Sequence, residues 1–67
     1  MVKAIISDYT EKGYEGMPYY CDFDTYEKAR SYIEEKDGYI FHAFDNVFLI
    51  VNPITGKLLY AIELKED

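Results

Sequence analysis

The sequence has no tryptophan, one cysteine, one histidine and two prolines, and these shortages exclude several kinds of protein. A single cysteine, Cys21, excludes an intramolecular disulfide and leaves a thiolate metal site without its other ligands. A domain this small without disulfides is typical of a reducing compartment, so we expect a cytoplasmic protein. No stretch approaches the ~18 consecutive apolar residues of a membrane span. We therefore expect no membrane partner.

Positive charge is also scarce. The chain has seven lysines and arginines against 13 aspartates and glutamates in total, which gives a net charge of −6. The basic residues are scattered, whereas a protein that binds phosphates needs them clustered. We therefore expect no direct binding to nucleic acid and a partner protein with a basic surface. The alternative is that the acidic balance serves solubility alone.

What the chain does have is enough apolar and aromatic material to fold. Of its 67 residues, 49% are hydrophobic and 18% aromatic, which is unlike a disordered chain. A chain of this length buries only about 60% of its unfolded surface. We therefore expect one small domain over residues 1–67, without a deep substrate cavity.

The first half of the chain predicts two strands and a helix. Alternating apolar residues over 2–8 indicate a strand, and the glycine-containing segment 10–16 is expected to be a flexible loop. Residues 17–23 predict a second strand, confined to a sheet edge by Pro18. A helix is expected over 25–37, with Asp24 as N-cap, Glu27 completing a capping box and Gly38 as the C′ residue.

Three further strands are expected after the helix. Residues 39–44 and 47–51 flank Asp45-Asn46, which favours a tight hairpin. The segment 57–64 predicts the last strand, and 65–67 is expected to be a frayed tail. The fold class is therefore α+β, with a single helix packed on a small antiparallel sheet of four or five strands, in the order β-(β)-α-β-β-β.

A two-residue hairpin loop would place Phe44 opposite Val47 and His42 opposite Leu49. One face of the hairpin would then carry Ile40, His42, Phe44, Val47, Leu49 and Val51. The other would carry Tyr39, Phe41, Ala43, Phe48 and Ile50. Both faces are apolar, although one helix can cover only one of them. The second face would be covered by residues 9–23, by a second copy of the chain or by another protein.

The residues that could carry chemistry are few. His42 is the sole histidine and lies mid-strand among apolar residues, and no sequence feature near Cys21 indicates a reactive thiol. The spacing Asp22-x-Asp24-x-x-Glu27 resembles the start of a calcium loop but lacks its glycine and distal glutamate. The spacing Gly13-x-x-Gly16 is not a phosphate-binding motif. We therefore expect no enzymatic activity, no metal site and no cofactor.

Acidic residues concentrate around the predicted helix, within residues 22–37. Acidic side chains three or four positions apart on a helix lie about 5–6 Å apart, close enough to the spacing of phosphates to imitate a nucleic-acid backbone. An ordinary solvated helix face is the alternative. Tyrosine and phenylalanine would add affinity. The residues expected to contact a partner are Asp22, Asp24, Glu27, Glu34, Glu35, Asp37, Tyr19, Tyr20, Tyr39, Phe41 and Phe48.

No motif identifies a family, but the general profile is similar to one group of proteins. Its small size, acidity, tyrosine content and lack of a catalytic set resemble small inhibitors encoded by phages and other mobile elements, which block nucleases, glycosylases or CRISPR effectors. The leading hypothesis is a non-catalytic inhibitor of this anti-restriction or anti-CRISPR type. It would occupy a basic, nucleic-acid-binding surface of a larger protein. The alternative is a homodimeric structural or regulatory domain without an inhibitor role.

Overall fold

The computed structural model describes residues 1–66. Its elements are β1 (Val2–Asp8), β2 (Met17–Phe23), α1 (Tyr26–Glu34), β3 (Tyr39–Phe44), β4 (Val47–Val51) and β5 (Leu58–Glu66). The strands form one antiparallel sheet in the order β2-β1-β5-β4-β3. The helix packs on one face of this sheet, which confirms the predicted α+β fold with a single helix.

The core lies between the helix and the sheet. Ala29 and Ile33 of α1 are buried against alternate residues of the three central strands. This follows from the period of two along a strand, since Val2, Ala4 and Ile6 point to the helix while their neighbours point away. The remaining core residues are Phe48, Ile50, Ile62 and Leu64.

The helix begins one residue later than predicted, and its N-cap is Thr25. Thr25 has an extended backbone, and its hydroxyl accepts a hydrogen bond from the backbone N–H of Lys28 at 3.2 Å. Asp24, the predicted cap, instead pairs with the Lys28 ammonium at 3.3 Å. The capping box predicted for Glu27 is therefore wrong, because the third residue after the actual cap is Lys28.

The helix also ends earlier than predicted, at Glu34. Glu35 is the C-cap, and its N–H donates to the carbonyl of Ser31 at 3.1 Å. Gly38, the predicted C′ residue, lies three positions beyond this cap, where the chain crosses close to β4. A Cβ at Gly38 would lie 2.8 Å from Ile50 Cγ2 and 2.9 Å from the Val51 carbonyl oxygen. Gly38 is therefore required by this close approach rather than by the helix end.

The hairpin of β3 and β4 contains a bulge that changes which residues of β3 share a face with which residues of β4. Phe44 pairs with Val47 as predicted, but the register shifts between His42 and Phe44. His42 consequently pairs with Phe48 and not with Leu49, and Ile40 pairs with Ile50 and not with Val51. The extra residue in β3 places Ile40 and His42 on the face of Phe48 and Ile50, which are buried toward the helix, and leaves Tyr39 and Phe41 on the other face.

The pairing of β1 with its two neighbouring strands tests two further predictions, the frayed tail and the edge strand containing Pro18. Lys65 and Glu66 lie within β5 opposite Lys3 and Val2, so the frayed tail is wrong for these two residues, while Asp67 lies outside the described residues. On its other side β1 pairs with β2, an edge strand containing Pro18 as predicted. Since Met17–Phe23 extends the sheet, it does not fold over the face opposite the helix.

Candidate functional site

The six acidic residues predicted as contacts are all exposed, but they do not form one row. Asp24 and Glu27 lie at the start of α1, and Glu34, Glu35 and Asp37 lie at its end. Glu27 and Glu34 are seven positions apart, which is about 10 Å along a helix axis. Because the helix stops at Glu34, the phosphate-like row of closely spaced carboxylates is not formed. Five of the six acids instead make two groups, one at each end of α1, and Asp22 lies apart from them on β2.

The acidic group at the end of α1 has an unfavourable position. Glu34, Glu35 and Asp37 lie where the backbone carbonyls give the helix a partial negative charge. The last turn of α1 contains no basic residue to offset them. Carboxylates are normally favoured at the other end of a helix. These three side chains therefore do not serve the stability of the helix.

The basic side chains near the helix contact aromatic rings. The Lys36 ammonium lies 4.6 Å from the centre of the Tyr32 ring and 4.5 Å from that of Tyr60. The Arg30 guanidinium lies 4.9 Å from the centre of the Phe48 ring. Within residues 1–66 the Lys28–Asp24 contact is the only ion pair. The carboxylates of Glu27, Glu34, Glu35 and Asp37 are thus left without a paired cation in the described part of the chain.

A shallow groove of about 620 Å³ joins the two acidic groups along the helix. The rings of Phe23 and Tyr32, with centres 5.3 Å apart, line it together with Glu27 at one end and Glu35 at the other. Phe23 comes from the end of β2, so the pairing of β2 with β1 positions this side of the groove. Lys28, which pairs with Asp24, also lines the groove. The remaining aromatic surface lies between Glu27 and Glu35 and suits an extended basic side chain. We refer to this groove with the exposed acids beside it as the acidic helix side.

Tyr19 lies next to this groove on β2. Partial burial raises the pKa of its hydroxyl to about 12, and the neighbouring Tyr32 acts in the same direction. Burial likewise raises the pKa of Tyr32. Both hydroxyls are therefore neutral at physiological pH. Tyr19 is the one predicted aromatic contact that shares the helix side with the acids.

The other predicted aromatic contacts lie elsewhere. Tyr20, Tyr39 and Phe41 are exposed on the face of the sheet opposite α1, and Asp22 lies on the same face. Phe48 is only 1% exposed and belongs to the core, so its prediction as a contact is wrong. The reason is the bulge in β3, which places Tyr39 and Phe41 on the face opposite Phe48, whereas the predicted register put all three on one face. The structure thus separates the predicted set into two surfaces on opposite sides of the molecule.

Three aromatic residues at these surfaces are absent from the predicted set. Phe44 is 66% exposed on the face opposite α1, and Phe23 and Tyr32 line the groove. The position of Phe44 beside the Asp45-Asn46 turn could have indicated exposure, since large residues at a hairpin end are seldom covered by neighbours on both sides. The Tyr32 environment depends on β2, which no local pattern places beside the helix.

Cys21 and His42 are not brought together. They lie on β2 and β3, the two opposite edges of the sheet, which are four interstrand spacings or about 19 Å apart. Their side chains therefore cannot form a nucleophile and base pair. The His42 ring stacks on Phe48 with centres 4.6 Å apart, and its Nε2 donates to the Asp45 carbonyl.

The calcium-loop spacing is likewise not assembled into a site. Asp22 lies on β2 and Glu27 in α1, and residues 1–66 contain no cluster of three or more His, Cys, Asp or Glu suited to holding a metal. Over the same residues, no helix has both the length and the apolar character to cross a membrane.

Comparison with family models, with curated proteins and with solved structures gives no match to this chain.

Proposed function

We propose that this protein is a non-catalytic binding protein whose acidic helix side occupies a basic surface of a larger protein. The partner surface is of the kind that otherwise binds nucleic acid, because such surfaces present clustered lysine and arginine. The protein would then act as an inhibitor by competition with the nucleic acid. This is the mode of action of the small inhibitors, encoded by phages and mobile elements, that its profile resembles.

The observation that carries the proposal is the acidic group at the end of α1. Glu34, Glu35 and Asp37 stand exposed and without paired cations at the helix end where negative charge is unfavourable. A local arrangement that opposes stability is typical of a functional surface. A basic partner would add positive charge at this helix end, where Lys36 is the one nearby cation among the described residues and lies over the Tyr32 and Tyr60 rings.

The groove adds a specific way of holding that partner. A lysine or arginine side chain of the partner can lay its aliphatic part on the Phe23 and Tyr32 rings and reach Glu27 or Glu35 with its charged end. The negative field of the whole chain would speed the encounter, while these contacts would provide affinity. Salt would weaken the association by screening the exposed charges.

A capture experiment with charge-matched variants tests the proposal. The helix-end variant carries Glu34→Gln, Glu35→Gln and Asp37→Asn, and the control carries Glu11→Gln, Glu15→Gln and Asp45→Asn, outside the group at the end of α1. Both change the net charge from −6 to −3. Immobilised wild-type protein and the control are expected to retain a basic, nucleic-acid-binding protein from a lysate, and added duplex DNA is expected to release it. The helix-end variant is expected to lose it.

Two results would refute this function. Equal loss of the captured protein by both variants would mean that only net charge matters, and retention in the presence of excess DNA would exclude competition for one surface. Unfolding in urea is the control for folding. The helix-end variant is expected to be as stable as the wild type or up to about 1 kcal/mol more stable, because it removes negative charge from the helix end.

A further inference from the structure

The face of the sheet opposite α1 carries an exposed aromatic patch along β3 and β4. Its residues are Tyr39, Phe41, Phe44, Val47, Leu49 and Val51, which the register of the bulged hairpin places on one side. The three aromatic side chains are 48–66% exposed, and the rings of Tyr39 and Phe41 lie 4.6 Å apart. The three aliphatic residues are half-buried. Within residues 1–66, no segment covers this patch.

The size of the patch is that of a protein interface. At about 200 Å² for each aromatic side chain, the three exposed rings present about 350 Å². The largest apolar patch on a typical monomer is about 300–600 Å² in total, and it is often functional. Adding the half-buried aliphatic residues and Tyr20 across the same face brings the area toward the ~600–800 Å² that each partner buries in a small stable complex.

The charges on this face indicate what covers it. Among the strand residues of this face, two lysines, Lys3 and Lys65, balance two acids, Asp22 and Glu63, so the strands give it no net charge. The net charge of −6 is therefore carried entirely by the rest of the molecule. A basic partner would be drawn to the acidic helix side and not to this face. A second copy of the chain, in contrast, meets no net repulsion here and can place each lysine near an acid of the other copy.

We propose that the aromatic patch binds a second copy of this chain, face to face about a two-fold axis. Two sheets would pack about 10 Å apart with both helices outside, so that each patch is buried from water by the other. This arrangement completes the burial that one helix cannot provide for a two-sided sheet. It leaves both acidic helix sides free, so it does not depend on the function proposed above.

Sedimentation analysis of three variants tests the dimer. Phe41→Glu and Phe44→Glu each place a carboxylate in the patch, while Tyr14→Glu changes a tyrosine of similar exposure, 61%, in the loop after β1. The wild type and Tyr14→Glu are expected to sediment at twice the chain mass of 7.9 kDa. Each patch variant is expected to raise the dissociation constant at least about 30-fold, since the substitution enters the interface twice.

The dimer is refuted if the wild type stays at 7.9 kDa at every concentration up to about 100 µM, which would mean an association too weak for a specific interface. It is equally refuted if the dimer persists in both patch variants, or if Tyr14→Glu dissociates it to the same extent. Circular dichroism of each variant shows whether it is folded. Because the two patch positions are substituted separately, failure of one to fold leaves the other as the test.

Discussion

Replacement of Phe48 by alanine is expected to lower the free energy of unfolding by a large part of its total value. Phe48 is 1% exposed, and its ring contacts His42 on one strand and the Arg30 guanidinium from the helix. Removing a buried phenylalanine costs about 3–5 kcal/mol. A chain of this length has a total free energy of unfolding of only about 3–10 kcal/mol, at 0.05–0.15 kcal/mol per residue. Urea denaturation followed by circular dichroism measures the change.

Phe41→Ala is the matched comparison. Phe41 lies in β3, beside the His42 that contacts Phe48, but its side chain points to the face of the sheet opposite that of Phe48. Its side chain is about half exposed, so truncation in the monomer is expected to change the free energy of unfolding by less than about 1 kcal/mol. The comparison is made at concentrations where the wild type is monomeric. If Phe41 and Phe48 gave equal losses, the bulged register would be contradicted, since it alone places the two rings on opposite faces.

Gly38→Ala is expected to lower the free energy of unfolding by about 3 kcal/mol or more. Gly38 has a φ of +130°, which an L side chain rarely adopts. Its added Cβ would also lie 2.8 Å from Ile50 Cγ2 and 2.9 Å from the Val51 carbonyl oxygen. The carbonyl belongs to the backbone of β4 and cannot rotate away, so the strand itself would have to shift. Thermal or urea denaturation measures this loss.

Gly13→Ala separates the two causes. Gly13 also has a positive φ, +92°, but a Cβ there would meet no atom within 4 Å. This variant is expected to lose only the backbone contribution, about 1 kcal/mol. Equal losses for Gly38→Ala and Gly13→Ala would show that the contact with β4 does not constrain the chain after the helix.

Much of the fold could be predicted from local patterns. The alternation at Val2, Ala4 and Ile6 indicates a strand because a strand with one buried face has a period of two. The bounds of the helix could be predicted less accurately. Asp24 and Thr25 are both good N-cap residues, and the choice between them depends on where β2 ends relative to the helix. The close approach of Gly38 to β4, beyond the end of the helix, is a contact between residues distant in sequence, which no local pattern indicates.

The candidate site was only partly predictable for the same reason. The exposure of the acids follows from their charge, and it needs no tertiary information. The faces of Tyr39, Phe41 and Phe48 depend on the bulge in β3, and the sequence Phe41-His-Ala-Phe44 contains no glycine to indicate one. One extra residue in a strand transfers every side chain beyond it to the other face. The same bulge that separates Phe41 from Phe48 puts Phe44 on the open face with Tyr39 and Phe41.

The register of β3 against β4 decides which side chains form the core and which form the aromatic patch, and cross-strand backbone nuclear Overhauser effects measure it directly. The structure predicts contacts between the backbones of His42 and Phe48 and between those of Ile40 and Ile50. Contacts of His42 with Leu49 and of Ile40 with Val51 would contradict it. They would place Phe48 and Ile50 beside Phe41, and the division into a covered face and an open aromatic face would be wrong.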